Sequence, residues 1–230
     1  MSVAQSRPPP RVLPVKAVLF DLDGTLADSA PDLAAALNRI REDRGLDPVP
    51  VERLRAFASA GARGMLGAGM GIATDHPEYP ALRERFLANY ESGLDRETVL
   101  FPGISELLDA LETRELRWGI VTNKFARFTE RVVAALQLGS RAGAVVAGDT
   151  TPHAKPHPAP LLHAAAQLRV AAADCVYVGD DLRDVAAGNA AGMATIVAEY
   201  GYLGESGSSE GWPATGWIDA PLDLLAWLPR

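Results

Sequence analysis

Apolar and polar positions fall into two regimes along the chain. Residues 15–20 read V-K-A-V-L-F, apolar on both faces apart from Lys16. A short continuous run of β-formers like this marks a central strand of a parallel sheet covered on both sides. Asp21 and Asp23 follow at its end, then Gly24, Thr25 and Leu26. From residue 29 to residue 100 the period is helical and no strand is predicted. Ser29 reads as an N-cap, with Pro31 and Asp32 in the first turn of a helix that ends near Arg44, before Gly45. Residues 51–60 and 80–91 are amphipathic, and the glycine-rich stretch 59–69 reads as a turn followed by a short helix.

Phe101-Pro102-Gly103 punctuates the chain, and after it the two periods alternate. Helices are predicted at 104–114, 126–138, 158–168, 182–191 and 221–228. Strands are predicted at 116–122, 144–147, 175–179 and 194–198, with a Gly/Ser-rich loop at 201–216. Strand–helix alternation implies right-handed crossovers and a parallel sheet. The expected fold is therefore α/β, a doubly wound, Rossmann-like parallel sheet. Its core comprises residues 12–28 and 101–230, with an all-helical insert at 29–100 and a disordered tail at 1–11.

Composition narrows the function classes. The 230 residues are 48% hydrophobic and 22% charged, with a net charge of −7. That balance argues against a nucleic-acid surface. A single cysteine, Cys175, excludes an internal disulfide and reads as an inert buried thiol. No apolar run is long enough to span a membrane, and the N-terminus lacks the apolar core of a signal peptide, so a cytoplasmic setting is expected.

The candidate chemistry lies at the predicted strand ends. Asp21 and Asp23 close the first strand, and Thr122-Asn123-Lys124 follows another. Lys155 stands in A-K-P-H-P, and Asp180-Asp181-Leu182-Arg183-Asp184 follows Gly179. In a doubly wound sheet these ends share one edge, so distant segments converge there. Two carboxylates as close as Asp21 and Asp23 repel unless a cation or a shared proton neutralises them. Carboxylates, a hydroxyl and an ammonium together suit phosphoryl transfer, and hard oxygen ligands suit Mg²⁺.

These motifs, in this order, resemble those of the haloacid dehalogenase-like (HAD) superfamily: D-L-D-G-T-L at 21–26, the strand ending at Thr122, K-P-H-P at 155–158 and G-D-D-L-R-D at 179–184. The insert at 29–100 resembles the superfamily's helical cap, which selects substrate. The resemblance implies an Mg²⁺-dependent phosphatase in which Asp21 is the nucleophile and forms an aspartyl-phosphate. Asp23 would protonate the leaving oxygen and then activate water. Thr122 and Lys155 would hold phosphate oxygens, helped by the backbone N–H groups of Leu22 and Asn123. The metal would lie on the Asp21 and Asp180 carboxylates and the Asp23 carbonyl. Asp184 would stand behind, on Lys155 or a metal-bound water.

Within the superfamily the chain is similar to phosphoglycolate phosphatase-like proteins. A narrower likeness, to phosphatases of the peptidoglycan sugar N-acetylmuramic acid 6-phosphate, rests on residues 59–66, 116–128, 178–184 and 199–202. The expected partner is a small phosphorylated metabolite, and the chain is expected to be a monomer or homodimer. Arg63 is either a solvated side chain or a reader of a substrate carboxylate, and Lys124 and Arg127, which flank the site, are further candidates to bind substrate in the same way. Thr25 either orients Asp23 or caps the turn, and Asp181 either approaches the metal through water or caps the next helix. His153 and His157 read as loop residues, and Trp118 and Phe125 as packing. The rival readings are a phosphosugar mutase and a phosphoacceptor signalling module. The signalling module has no use for Asp23 or for a lid.

Overall fold

In the computed structural model, which describes residues 9–205 and 207–230, the apolar run after the tail becomes β1 (Ala17–Phe20), fully buried. Five more strands share its sheet: β4 (Arg117–Val121), β5 (Val145–Val146), β6 (Cys175–Gly179), β7 (Ala194–Ala198) and β8 (Gly216–Ile218). Their order is β5-β4-β1-β6-β7-β8, with every pairing parallel. β1 is central, with Phe20 in register with Ile120 on one side and Val178 on the other. That register puts the residues after β1, β4 and β6 (Asp21, Thr122 and Asp180) side by side on one edge. The helices α5 (Ile104–Thr113), α6 (Ala126–Ala135), α7 (Ala159–Gln167) and α8 (Leu182–Ala190) cover the two faces. Cys175 is buried in β6, and burial pushes its thiol up to about 11. His153 and His157 are exposed in their loop, and Trp118 is buried with its indole N–H donating to Glu112.

The insert is helical, as expected, and holds α1 (Ala30–Asp43), α2 (Val51–Leu54), α3 (Gly61–Met70) and α4 (Tyr79–Glu91). Its second amphipathic stretch continues from α2 as a 3-10 turn at Arg55–Ala60. Two short strands were missed at its base, β2 (Ala27–Asp28) and β3 (Val99–Leu100), which pair antiparallel. The chain thus leaves and re-enters the core on one two-stranded ribbon, and residues 99–100 belong to that ribbon instead of the helical unit. The Asp32 carboxylate ties the two ends together, accepting from the backbone N–H groups of Glu97 and Thr98 and from the Thr98 hydroxyl. Pairs this short carry no hydrophobic alternation, which is why the pattern did not reveal them. β8 was missed for the same reason, and the last segment is a 3-10 turn, Pro221–Ala226, instead of an α-helix. Of the expected tail, residues 1–8 lie outside the described residues. Residues 9–12 are exposed, and Leu13 is buried with its N–H donating to the Trp227 carbonyl. Among the described residues no helix is long and apolar enough to cross a membrane.

Ser29 does not cap α1 with its side chain. The cap comes from far along the chain. The Tyr202 hydroxyl accepts from the backbone N–H groups of Ser29 (2.8 Å) and Ala30 (3.0 Å) and donates to Asp28 (2.9 Å). A phenol supplies an acceptor to helix-terminal N–H groups as a Ser or Asp side chain would. Replacing Tyr202 by Phe leaves two buried N–H groups without acceptors. Unfolding in urea is expected to show a loss of about 2 kcal/mol, the scale of unsatisfied buried polar groups. An unchanged midpoint would refute this account of the cap.

Candidate active site

Asp21, Thr122 and Asp180 sit one residue beyond their strands and are all buried. The ligand oxygens of Asp21, Asp180 and Asp184 lie within 4.8 Å of one another. Lys155 is buried among them, 2.9 Å from Asp21 Oδ1 and 2.7 Å from Asp184 Oδ1. Two of the three carboxylates thus share one ammonium, and Asp180 stands beside them without it. Burial, followed by the repulsion of Asp184 and Asp23, pushes the Asp21 carboxyl up to about 7 against the pull of Lys155. Burial, followed by repulsion from Asp21 and Asp184, holds Asp180 well above the usual carboxylate range. Burial works against the charge on Lys155, but Asp184 and Asp21 outweigh it and raise its pKa. This donor set, all hard oxygens with negative charge to spare, fits a divalent cation such as Mg²⁺. Asp21 and Asp180 would hold it, because Lys155 already occupies Asp184.

Local backbone geometry makes the cluster possible. Gly24 has φ +87°, and a Cβ there would lie 2.2 Å from Asp180 Oδ2. Only glycine lets the loop after β1 pass so close to Asp180. Thr25 neither orients Asp23 nor merely caps the turn, because its buried hydroxyl donates to Asp180 Oδ1 at 3.0 Å. The Leu22 N–H, expected on phosphate, donates to Asp21 Oδ1 at 2.8 Å. With Lys155 on the same oxygen, Asp21 Oδ2 has no hydrogen-bond donor among the described residues.

The second aspartate is held separately. Lys124 Nζ lies 2.7 and 2.8 Å from the two Asp23 oxygens, and the Ser29 hydroxyl donates to Oδ1. Lys124, expected on substrate, is therefore a partner of Asp23. Burial disfavours its charge, but the Asp23 carboxylate outweighs burial and raises its pKa. Asn123, also expected on substrate, clamps the Lys155 backbone with its side chain. Its amide donates to the Lys155 carbonyl and accepts from the Lys155 N–H, each at 2.9 Å. Asp181 caps α8 and pairs with Asp184 in a capping box, and it binds the Arg183 guanidinium at 2.8 Å. Asp184 holds Lys155, one of its two expected roles.

A cavity of about 270 Å³ opens over these groups, between the sheet edge and the insert. Asp21, Asp23, Thr122 and Lys155 lie in its wall with the apolar Leu33, Phe86 and Phe128. Arg63, on α3, is exposed and lines the same cavity, as does Phe125 at the rim. The insert also touches the catalytic loops. Ser59 Oγ donates to Asp180 Oδ2 at 3.2 Å, and Arg183 donates to the Ser59 carbonyl at 2.9 Å. The sequence reading missed Ser29, Ser59, Tyr177 and Arg183. Only Arg183 carried a signal, its place inside G-D-D-L-R-D.

The sequence profile of the haloacid dehalogenase-like hydrolases matches residues 18–198. The chain is 40% identical over 216 residues to an N-acetylmuramic acid 6-phosphate phosphatase of Pseudomonas aeruginosa, covering 94% of this chain and 96% of the relative. It is 41% identical over 214 residues to a phosphoglycolate phosphatase of Xanthomonas campestris pv. campestris, covering 93% and 96%. A crystal structure of a predicted phosphoglycolate phosphatase from Haemophilus somnus superposes with a TM-score of 0.79 at 25% identity, covering 92% and 96%.

Lys155 is the cation on which the buried carboxylates depend. Lys155→Met, similar in length, is expected to cost about 3–5 kcal/mol in denaturant unfolding of the metal-free protein, as when one partner of a buried ion pair is removed. A variant as stable as the parent would show that Lys155 does not hold the cluster together.

Proposed function

The chain belongs to the haloacid dehalogenase-like hydrolases and is a phosphatase, and on that premise we propose an Mg²⁺-dependent phosphomonoesterase acting through an aspartyl-phosphate on Asp21. The observation that carries the reading is the asymmetry of Asp21. Its Oδ1 is held by Lys155 and the Leu22 N–H, which leaves Oδ2 as the attacking atom. Attack forms the Oδ2–P bond as the bond from phosphorus to the leaving oxygen breaks. Asp23, across the cavity wall, gives the leaving oxygen its proton. Water then attacks phosphorus, Asp23 takes its proton, and phosphate departs with Asp21 restored. The Asp21 and Asp180 carboxylates and the Asp23 carbonyl would hold Mg²⁺, which would supply the positive charge that lets a carboxylate approach a phosphate dianion. Thr122 holds a phosphate oxygen, Lys155 answers the phosphate's charge from beside Asp21 Oδ1, and the helical insert at 29–98 serves as the lid that excludes water.

The substrate is a small phosphorylated metabolite, either N-acetylmuramic acid 6-phosphate or 2-phosphoglycolate. The size of the cavity and its apolar wall favour the sugar phosphate, because a two-carbon leaving group would fill little of the space. Arg63 would read a carboxylate, which both substrates carry, since a guanidinium matches a carboxylate in bidentate fashion.

Asp21→Asn, and EDTA treatment of the parent protein, are each expected to lower phosphate release by at least about a thousandfold, the scale of losing an essential nucleophile. Sustained turnover by Asp21→Asn, with mass spectrometry excluding deamidation, would overturn the mechanism. In a phosphate-release screen ranked by kcat/KM, N-acetylmuramic acid 6-phosphate is expected to lead. Arg63→Ala is expected to raise its KM about tenfold with kcat little changed, as for the loss of uniform binding. A lead by phosphoglycolate would reverse the substrate assignment and leave the chemistry standing.

A further inference from the structure

Lys155 has more acceptors than protons. Its ammonium has three N–H bonds to give. Around it stand Asp21 Oδ1 at 2.9 Å, Asp184 Oδ1 at 2.7 Å, the Tyr177 hydroxyl at 2.7 Å and the Val121 carbonyl at 3.1 Å. Tyr177 is in β6, one strand from the nucleophile, and is buried. Its hydroxyl has a single proton and two acceptors in reach, the Val121 carbonyl at 2.9 Å and Asp184 Oδ1 at 3.1 Å. Tyr177 therefore accepts from Lys155 and donates onward to one of the other groups on Lys155. Burial, followed by repulsion from Asp184 and Asp21, holds the phenol's pKa well above its ordinary value, so the proton stays on oxygen.

None of the four catalytic motifs contains this tyrosine, and the chemistry proposed above gives it no task. We propose that Tyr177 is a positioning residue of the hydrolysis. It takes one Lys155 N–H from below and so fixes which of the remaining two point at Asp184 and Asp21. Without the hydroxyl, Lys155 keeps its charge and its two carboxylates. The third N–H then turns to the Val121 carbonyl at 3.1 Å, which the phenol no longer engages, and the tilt of the ammonium weakens its hold on Asp21 Oδ1 while Oδ2 attacks. Such a loss falls on the chemical step and spares substrate binding, which takes place in the cavity above.

The inference rests on the phosphatase reading, and the test separates the two. Tyr177→Phe keeps the ring and its packing. With p-nitrophenyl phosphate and 2-phosphoglycolate as probes, the variant is expected to lose about tenfold or more in kcat, with KM within about threefold of the parent. Its melting temperature, measured without metal in EDTA, is expected to stay within a few degrees of the parent value. An unchanged kcat would overturn the proposal. So would a kcat loss accompanied by a collapse in melting temperature, because the hydroxyl would then be structural. A parent protein inert towards every phosphate ester would overturn the phosphatase reading and this one with it. An active parent beside an unimpaired variant would overturn this one alone.

Discussion

The structure depends on a single electrostatic constraint: three carboxylates, Asp21, Asp180 and Asp184, are withdrawn from water together, with one ammonium, Lys155, bound to two of them. Like charges in such surroundings are tolerated only where opposite charge and hydrogen bonds answer them. Each carboxylate has its own donors. Asp21 has the Leu22 N–H, Asp180 has Thr25 and the Tyr202 N–H, and Asp184 has the Asp181 N–H. Lys155 itself is fixed at both ends, its backbone by Asn123 and its ammonium by Tyr177. The site carries an excess of negative charge, which fits a hard divalent cation as its complement.

The same donors connect the site to the rest of the molecule. Tyr202 donates its backbone N–H to Asp180 and lends its hydroxyl to the start of α1, so one residue spans the buried carboxylate cluster and the root of the insert. Arg55, in the insert's 3-10 turn, pairs with Asp28 at 2.6 Å and lies over the Tyr202 ring. Ser59 and Arg183 join the tip of that turn to the loop after β6. In this arrangement the insert is closed onto the catalytic loops, and the cavity between them is bounded on both sides.

Much of this was legible without coordinates. The continuous apolar runs gave β1, β4, β6 and β7 within one or two residues, because buried parallel strands leave no room for polar side chains. The order of the motifs, with each chemical group directly after a strand, implied one shared edge. Asp21, Thr122, Lys155 and Asp180 do meet there, together with Asp184. Less visible were the short β2–β3 ribbon, whose two-residue strands carry no period, and β8 beyond the Gly/Ser-rich loop.

The division follows from the range of the forces involved. Sequence alone determined the sheet, the insert and which polar groups gather at one sheet edge, because these follow from local periodicity and from the placing of side chains at strand ends. Only the tertiary structure decided the partnerships. Lys124 holds Asp23, Asn123 clamps Lys155, Thr25 serves Asp180, Tyr177 enters from a position that no motif marks, and Tyr202 binds both Asp180 and the start of α1. A buried charge takes whichever donor the packing brings within about 3 Å, and that choice is made across 101 residues of chain between Asp23 and Lys124 and 155 between Thr25 and Asp180.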